Sequence, residues 1–460
     1  MLKSKLKEPA SVLCPDSEEY EKSLERWSAV GIQRAGIIVR PNSAEDLATT
    51  LRFARDNRVD LAVKGGGHST DTSSSSNGGI LIDLGSMRQV NVDPIKSTVT
   101  AQGGALWKDV NDTAALFGLA VVCGTVSQTG VGGLTLRGGC GYLTPRYGLV
   151  LDNLLSAKVV TADGQILNAS ANEHPDLFWA VRGAGANIGV AAELTFQAHT
   201  QANMVWCGSM IFTHDKLPVV LEALNGALLH PQNNAAAQCV LALSPDTGTP
   251  VVTTVLFFNG SEEEGRRHFS SLVKLENISM EMEMRPYAKA NTMLDTALPP
   301  GGRKKIVGVK FAPSIRPEFA SNLLMEVGRK LTTAPDLATS CLEVDYFDLS
   351  RVNGVPIAET VFPSRTNTLN GALLLQWTDP NKDQEFIAWG EEIQTMCETE
   401  LRRAGQKPDK TVSTFFGYTQ DDNMTPEDMF GVNADALLKV KRKYDPDNVF
   451  NKLNPLVLSG

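Results

Sequence analysis

The amino-acid sequence predicts an α+β protein, and three observations lead to that prediction. The chain opens with a strand, a helix and a second strand that runs into three consecutive glycines, Gly65–Gly67. Further glycine-rich segments follow up to Val190, after which strand patterns alternate with long helical patterns. A small α/β layer followed by an antiparallel sheet backed by helices is an α+β arrangement. We therefore divide the chain into domains at residues 1–200, 201–410 and 411–460.

Capping residues and hydrophobic alternation predict the elements of the first domain. Ser43, followed three residues later by Asp46, predicts the start of a helix that runs to Asp56. Asp163-Gly164, between two apolar runs, predicts the turn of a hairpin. The predicted strands are residues 36–40, 61–64, 80–84, 89–93, 98–102, 154–161, 165–169 and 191–197, and the predicted helices are residues 17–28, 43–56 and 106–116.

The second domain has a different pattern, in which each strand is followed by another strand or by an amphipathic helix. This predicts an antiparallel sheet backed by helices. The predicted strands are residues 205–212, 239–244, 251–258, 305–311, 341–347 and 371–378, and the predicted helices are residues 217–230, 261–272, 317–331 and 384–399, with a last helix at 434–442.

Composition restricts the classes of partner and the compartment. The 460 residues carry a formal net charge of −9 and show no cluster of Lys and Arg, which disfavours nucleic acid and anionic membranes. The seven scattered cysteines lack the spacing of metal ligands. No apolar run is long enough to span a membrane, and the N-terminus has no signal-peptide core. We expect a cytoplasmic enzyme without an obligate protein partner.

The segment with the most chemical information is the glycine loop. Gly65, Gly66 and Gly67 follow an apolar strand and are followed directly by His68 and Ser69. Glycine allows close approach of a ligand, and successive backbone N–H groups form a nest for anionic oxygens such as those of a pyrophosphate. By itself the string is equally typical of an ordinary turn with a surface histidine.

A second glycine-rich stretch supports a ligand-binding role. Gly130–Gly141 contains six glycines in twelve residues. The apolar Val131, Leu134 and Leu136 are interleaved with them, whereas flexible linkers are polar. We expect the backbone of this stretch to lie against a flat or anionic ligand.

Three segments in this order resemble a known family. Gly65–Ser69, Gly130–Gly141 and the terminal Tyr444–Asn451 resemble the FAD-linked oxidoreductases of the vanillyl-alcohol-oxidase / p-cresol-methylhydroxylase (PCMH) fold, in the berberine-bridge-enzyme-like branch. Gly133–Asn153 is similar to the nicotine-oxidase members of that branch. The resemblance implies a two-subdomain FAD-binding domain of the PCMH type, a substrate domain, and a C-terminal segment that returns to the FAD domain.

The same resemblance implies how FAD would be held. His68 would be bonded covalently to the flavin ring, which would raise the flavin potential and prevent loss of the cofactor. Gly65, Gly66, Gly67 and Ser69 would surround the pyrophosphate, and the backbone of Val190 would pair with adenine. Further contacts are implied for Val126, Ser127, Thr129, Gly130, Gly133, Gly138, Gly139, Gly141 and Tyr142 along the ribityl chain and ring, and for Phe450, Asn451 and Asn454 of the closing segment.

Two departures from the family pattern bear on the chemistry. Val126 stands where many relatives carry a cysteine that forms a second flavin link, so we expect a single histidyl link. Cys123, three residues earlier, is either an alternative tether or a buried apolar thiol. Thr129 falls where relatives carry an apolar gate for oxygen, which leaves oxidase and dehydrogenase behaviour open. The lack of a partner-binding signature favours O2 as acceptor.

Four residues are candidates for the chemical step. Alternation places Glu343 and Asp345 on one face of a strand, where like charges would raise the pKa of one carboxyl group. The alternative is a solvated outer face. Gln376 is a polar residue in an apolar strand, either a substrate hydrogen-bond donor or an edge residue. Tyr418 aligns with a tyrosine that faces substrate in relatives.

The predicted activity is oxidation of a small, secondary-metabolite-like molecule at a C–O or C–N bond, or oxidative ring closure, with O2 as acceptor. The alternatives are an FAD dehydrogenase with another acceptor, a flavin-binding cyclase without net redox chemistry, and a metabolite-binding module without cofactor.

Overall fold

The computed structural model describes residues 2–8, 10–406, 424–453 and 456. The first sheet has the order β1-β2-β4-β3, with β1 antiparallel to β2 and the other pairs parallel. The predicted strand before the glycine loop is confirmed as β3, at the edge of this sheet. The strands are β1 Ser11–Leu13, β2 Ile37–Arg40, β3 Leu61–Lys64 and β4 Ile80–Asp83.

A five-stranded antiparallel sheet follows, with the order β5-β6-β10-β8-β9. Both predicted hairpins of this region, β5–β6 and β8–β9, are present. A short two-stranded sheet, β7 with β11, lies beside it. The strands are β5 Val90–Asp93, β6 Thr98–Gln102, β7 Leu119–Ala120, β8 Leu154–Val160, β9 Ile166–Ser170, β10 Val190–Gln197 and β11 His199–Thr200.

The third large sheet is antiparallel throughout and has seven strands, in the order β15-β12-β14-β13-β17-β18-β16. Its edge strand β15 was not predicted, although the alternation of Met and Glu in Ser279–Pro286 is a strand signal. The strands are β12 Met204–Thr213, β13 Ala235–Leu243, β14 Pro250–Phe258, β15 Ser279–Pro286, β16 Arg303–Phe311, β17 Cys341–Phe347 and β18 Leu369–Trp377.

The helices agree with the sequence pattern in most places. The predicted helix 261–272 is divided into two, α8 and α9, around Phe269. The longer helix α6 and the short helices α4, α5, α10, α12 and α14 were not predicted. The helices are α1 Glu18–Leu24, α2 Ala44–Asp56, α3 Trp107–Ala115, α4 Val131–Thr135, α5 Thr144–Tyr147, α6 Pro175–Ala184, α7 Leu217–Leu229, α8 Glu262–His268, α9 Ser270–Val273, α10 Tyr287–Ala290, α11 Pro317–Thr333, α12 Ser350–Asn353, α13 Asp383–Arg403, α14 Pro426–Phe430 and α15 Ala434–Tyr444.

The two faces of the seven-stranded sheet have different neighbours. On one face, side chains such as Trp206 and Leu373 pack against α7, α11 and α13 in one core. On the other face, Cys207, Phe257 and Phe347 belong to the core of the N-terminal half. Because residues one apart on a strand point to opposite faces, the strands β12, β13, β14 and β17 supply side chains to both cores. The second face therefore lies against the glycine-rich half of the chain.

Among the helices of the described residues, none is both long and apolar enough to cross a membrane. The same part of the chain contains no group of His, Cys, Asp and Glu that could hold a metal ion.

Candidate cofactor and active site

The glycine loop is fixed to the N-terminal segment. The carbonyl of Gly67, which has a φ of 69°, accepts a hydrogen bond of 2.9 Å from the backbone N–H of Trp27. Lys64, just before the loop, donates to the carbonyl of Ser23 at 2.6 Å and lies 3.2 Å from the carboxylate of Asp83. These bonds determine the direction in which the chain presents the following histidine.

His68 is half-buried and stacked, which excludes the alternative of an ordinary surface histidine. Its ring lies 4.0 Å from the ring of Trp27, with 13° between the planes. Its Nε2 atom is buried and has no hydrogen-bond partner within the described part of the chain. Burial, followed by the nearby Lys304 ammonium, lowers the pKa of His68 to about 4. The imidazole is therefore neutral at physiological pH and can act as a nucleophile or ligand.

Lys304 is held beside this ring pair by the edge strand β16. Its Nζ donates to the carbonyls of Trp27, at 3.1 Å, and Gly301. The same ammonium lies 5.0 Å from the centre of the Trp27 ring, a cation–π distance. The histidine is thus enclosed by one aromatic ring and one cation, and neither feature was predicted from the sequence.

The two glycine-rich segments meet each other. A Cβ atom on Gly66 would lie 2.5 Å from the Cα of Gly130, so neither backbone tolerates a side chain there. A Cβ atom on Gly132 would likewise lie 2.8 Å from the carbonyl oxygen of Gly103. Gly133, by contrast, has no atom of the described chain within 4 Å of its Cβ position and leaves room for a ligand. Several glycines are thus explained by backbone packing, which the sequence analysis did not foresee.

The remaining predicted glycines also have structural reasons. Gly138 and Gly139 have φ angles of 116° and 77°, a region that other residues rarely adopt. A Cβ on Gly141 would lie 2.0 Å from the carbonyl oxygen of Cys123. The Cβ position of Gly65 is less crowded, 3.3 Å from the carbonyl of Gly103.

Two predicted side-chain donors are already used within the protein. The hydroxyl of Ser69 donates to Asp71 at 2.7 Å, and the hydroxyl of Ser127 donates to Asp295 at 2.6 Å. Thr129 accepts through its carbonyl from the backbone N–H of Trp107 at 3.0 Å. Thr129 is half-buried, which leaves its side chain accessible from one side.

Cys123 lies in a buried polar cluster. Its sulfur lies 3.3 Å from the hydroxyl of Tyr287 and accepts from the amide of Asn291 at 3.2 Å. Burial raises the pKa of this thiol. The half-buried Val126 provides no thiol at the position where relatives carry one. Both observations favour the interpretation of Cys123 as a buried thiol.

The adenine-side residues are arranged around β10 and the C-terminal segment. Val190 begins β10 and pairs with Val160, whereas β6 pairs with β10 only from Glu193 onward. Phe450 is buried in the same cluster as Val190, and Asn451 is exposed. The predicted residues Asn454 and Tyr418 lie outside the described residues.

The predicted carboxyl pair is present and faces the protein interior, so the alternative of a solvated outer face is wrong. Glu343 and Asp345 on β17 are half-buried and both accept from the side-chain amide of Gln238, at 3.0 Å for Asp345. Gln238 lies on the neighbouring strand β13, directly opposite Asp345. Its carbonyl oxygen accepts from the hydroxyl of Tyr142 at 3.4 Å. The Gly130–Gly141 stretch therefore leads directly to the carboxyl pair.

The surroundings shift the pKa of both carboxyl groups upward. Burial and then the charge of Asp345 raise the pKa of Glu343 well above its usual range. Burial raises the pKa of Asp345 to about 6, opposed by the hydrogen bond from Gln238. One carboxyl group is therefore protonated and the other ionised near neutral pH, as expected for two acids that share a site.

Gln376 is not part of this pair. It lies on β18 and its side-chain amide donates to the carbonyl of Thr339 at 2.7 Å. The backbone N–H of Gln376 donates to the hydroxyl of Ser340. Gln238 takes the central place instead. It was missed because the predicted strand began at residue 239, whereas β13 begins at Ala235 and contains Gln238.

These residues fit a bound flavin nucleotide. Within the described residues, His68 offers a neutral ring nitrogen without a partner, and the side of Gly133 is open. Tyr142 connects the second glycine stretch to a pair of carboxyl groups, of which the ionised one can accept a proton from a substrate.

Comparisons with known proteins agree with this assignment. Residues 35–170 match the family described as FAD binding domain, and residues 414–455 match the family described as berberine and berberine like. The chain is 32% identical over 456 residues to the FAD-linked oxidoreductase pgmH of Aspergillus terreus, with 96% of this chain and 92% of the relative covered. It is 38% identical over 234 residues to (R)-6-hydroxynicotine oxidase of Paenarthrobacter nicotinovorans, with 49% and 51% covered.

Two solved structures extend the likeness to the fold. The crystal structure of 6-hydroxy-D-nicotine oxidase from Arthrobacter nicotinovorans superposes with a TM-score of 0.84 at 26% identity, covering 98% of each chain. The Physcomitrella patens BBE-like 1 structure gives a TM-score of 0.86 at 19% identity over all of both chains, which shows the fold alone. The predicted fold class is confirmed.

Proposed function

Because the chain belongs to the berberine-bridge-like family of FAD-linked oxidoreductases, we propose that it oxidises a small organic molecule at a C–O or C–N bond, with O2 as electron acceptor. One observation carries the proposal. The half-buried pair of Glu343 and Asp345 is joined through Gln238 to Tyr142, at the end of the glycine stretch assigned to the flavin. This arrangement puts a proton acceptor next to the region where a cofactor would accept the hydride.

The cofactor is FAD, linked through His68. When bound, FAD supplies a two-electron acceptor for a hydride. The neutral imidazole of His68 and its unpartnered Nε2 support covalent attachment. Backbone N–H groups of Gly65–Gly67 bind the pyrophosphate, and the open side of Gly133 accepts the ribityl chain and ring edge. The backbone of Val190, where β10 begins, would pair with adenine, and Phe450, buried in the same cluster as Val190, would close this end.

The substrate's proton is removed by the carboxyl pair. Near neutral pH the ionised carboxylate accepts the proton of a hydroxyl or amine group, while the protonated partner stabilises the charge through a hydrogen bond. The buried rings near the pair include Phe257, stacked on Tyr142 at 5.0 Å, and Phe347. These rings exclude water from this side of the carboxyl pair.

The names of the relatives support one of the two bond types. One relative is named for oxidation of a hydroxynicotine, a nitrogen heterocycle, which supports a C–N bond. Others are named only as FAD-linked oxidoreductases. We therefore retain the C–O bond and oxidative ring closure as outcomes of the same hydride transfer.

Anaerobic reduction tests the proposal. The flavin-loaded protein is mixed under nitrogen with a panel of small cyclic amines and benzylic alcohols, and loss of the oxidised flavin absorbance is followed; air is then admitted. We expect at least one compound to bleach the flavin and air to restore it within seconds. If no member of either class bleaches a flavin that dithionite still reduces, the redox proposal is wrong and the cyclase alternative is favoured.

A dehydrogenase is the second candidate, because the polar Thr129 stands at the expected oxygen gate. It predicts rapid bleaching by substrate and reoxidation by a quinone, with slow reoxidation in air. Thr129→Val is the matched test, since it keeps the shape and removes the hydroxyl. Faster reoxidation of this variant in air would assign Thr129 as a barrier to oxygen.

A further inference from the structure

We propose that Gln238 is a positioning residue that makes Glu343 and Asp345 share a single proton, and that it leaves Asp345 as the carboxylate that receives the substrate's proton. The inference deepens the proposed function and rests on it for the role of the proton. The sharing of the proton itself can be observed without a substrate.

The strand register brings the three side chains together. Gln238 on β13 lies directly opposite Asp345 on β17, whereas Glu343 lies opposite Val240. Residues opposite each other in an antiparallel pair point to the same face, so the longer Glu343 side chain reaches diagonally to the same amide. Gln238 is only 1% exposed, and its amide has no alternative partner in water.

The orientation of the Gln238 amide is determined from both ends. Its nitrogen has two hydrogens, and both are used, one by each carboxyl group. Its oxygen can only accept, and it accepts from the hydroxyl of Tyr142. A rotated amide would point its oxygen at the two carboxyl groups and would lose both donated bonds, including the one that favours the ionised form of Asp345. The Tyr142 hydroxyl thus holds the amide in the orientation that serves the acids.

One neutral amide cannot compensate two negative charges. No cation of the described chain is among the groups that shift either pKa. Within the described residues, the other titratable groups that face the pair are Cys140 and Tyr142 from the glycine stretch and Cys341 from β17. Burial raises the pKa of all three, so they are protonated and contribute no positive charge. The pair must therefore retain a proton.

The retained proton belongs to Glu343. Asp345 accepts hydrogen bonds from both Gln238 and Glu343, and both bonds favour its ionised form. The hydrogen bond between the two acids raises the pKa of Glu343, because Glu343 donates its proton in that bond. In the reaction, Asp345 takes the proton of the substrate O–H or N–H group as the adjacent C–H hydride leaves to the oxidised cofactor, and a C=O or C=N bond forms. The proton passes from Asp345 to solvent with the product.

Infrared difference spectroscopy of the flavin-loaded protein between pH 4 and pH 9 tests the inference without a substrate. We expect one carboxyl group to titrate near pH 6 and a second to remain protonated above neutral pH. Asp345→Asn should remove the titration near pH 6. Glu343→Gln should retain it, because an amide N–H replaces the acid O–H as donor to Asp345.

The central variant is Gln238→Met, which keeps the length of the side chain and removes its donors. A hydrogen bond to a charged group contributes about 1.5–3 kcal/mol, so the titration should move upward by about one to two pH units. Gln238→Glu, which replaces the donor by an acceptor, should move it in the same direction. Val255→Ala is the control. Val255 is buried and lies opposite Gln238 on β14, but its apolar side chain forms no hydrogen bond with the acids.

The outcomes separate the two proposals. A Gln238→Met protein that titrates like the unaltered protein, or an unaltered protein whose two acids both ionise below pH 5, would overturn the shared proton. If the titrations behave as expected but no substrate reduces the flavin, proton sharing stands and the oxidase proposal fails. If Asp345→Asn is reduced by substrate as fast as the unaltered protein, the oxidase proposal stands and Asp345 is not the base.

Discussion

A buried ion pair in the C-terminal segment gives the most quantitative prediction about stability. Lys441 and Asp445 lie one turn apart at the end of α15, and both side chains are fully buried. The Lys441 ammonium donates to Asp445 at 2.6 Å and to the carbonyls of Asn187 and Phe450, each at 2.8 Å. This one cation therefore joins α15, the closing segment and the turn before β10.

Lys441→Met removes the cation and keeps most of the apolar stem. Removal of one partner of a buried pair typically costs about 3–5 kcal/mol, because the remaining charge is left buried. Asp445 still accepts from the backbone N–H groups of Val449 and Phe450, at 2.8 and 2.9 Å, which partly stabilises its charge. We therefore expect the lower end of that range, about 3 kcal/mol. With a urea m-value of about 3 kcal/mol/M, the midpoint should fall by about 1 M.

The matched control lies two residues further along the same helix. Lys443 pairs with Asp176 at 2.6 Å, but its side chain is 57% exposed. Exposed pairs contribute about 0–1 kcal/mol, so Lys443→Met should change the urea midpoint little. Equal effects of the two substitutions on urea unfolding, followed by tryptophan fluorescence, would refute the argument from burial.

Three further predictions concern the site. The free energy of unfolding of Asp345→Asn, relative to that of the unaltered protein, should rise by on the order of 3 kcal/mol between pH 4 and pH 7. The reason is that the raised pKa of Asp345 makes the folded state bind a proton more tightly than the unfolded state, so the unaltered protein loses stability as this proton dissociates. A difference in urea midpoint that stays the same at every pH would show that this is wrong. Trp27→Ala removes the ring stacked on His68 and should lower the fraction of flavin retained in an acid-precipitated pellet, whereas full retention would show that the stack is dispensable. Gly66→Ala introduces a 2.5 Å clash with the Gly130 backbone and should give little folded protein. Gly133→Ala places its methyl group against no atom of the described chain, so this variant should fold normally but bind less flavin. The yield of soluble protein and the ratio of flavin to protein absorbance distinguish the two variants.

The sequence predicted the elements that are locally encoded. The capping pair Ser43 and Asp46 marks a helix that begins where expected, and the hydroxyl of Ser43 accepts from the backbone N–H of Asp46 at 3.1 Å. Period-two alternation correctly placed Glu343 and Asp345 on one face of a strand. In each case the information is contained within a few residues of the chain.

What the sequence could not supply was the contacts between distant segments. Gln238 and Asp345 are separated by more than 100 residues and become neighbours only through the pairing of β13 with β17. Lys304 reaches Trp27 across an even larger separation of 277 residues. The sequence suggested a bound ligand as the reason for Gly66 and Gly130. In the structure, the backbone of each of them leaves no space for a side chain on the other. Tyr142 was assigned to the cofactor, and the structure adds its bond to Gln238.

The central claim is that His68 holds the flavin, and the mass of its peptide tests this most directly. The flavin-loaded protein is digested, and the peptide that carries Gly65–His68 is analysed by mass spectrometry, with fragmentation to locate any added group. We predict that this peptide carries one flavin nucleotide and that the added mass is assigned to the imidazole of His68. An unmodified peptide from yellow, freshly prepared protein would contradict the account.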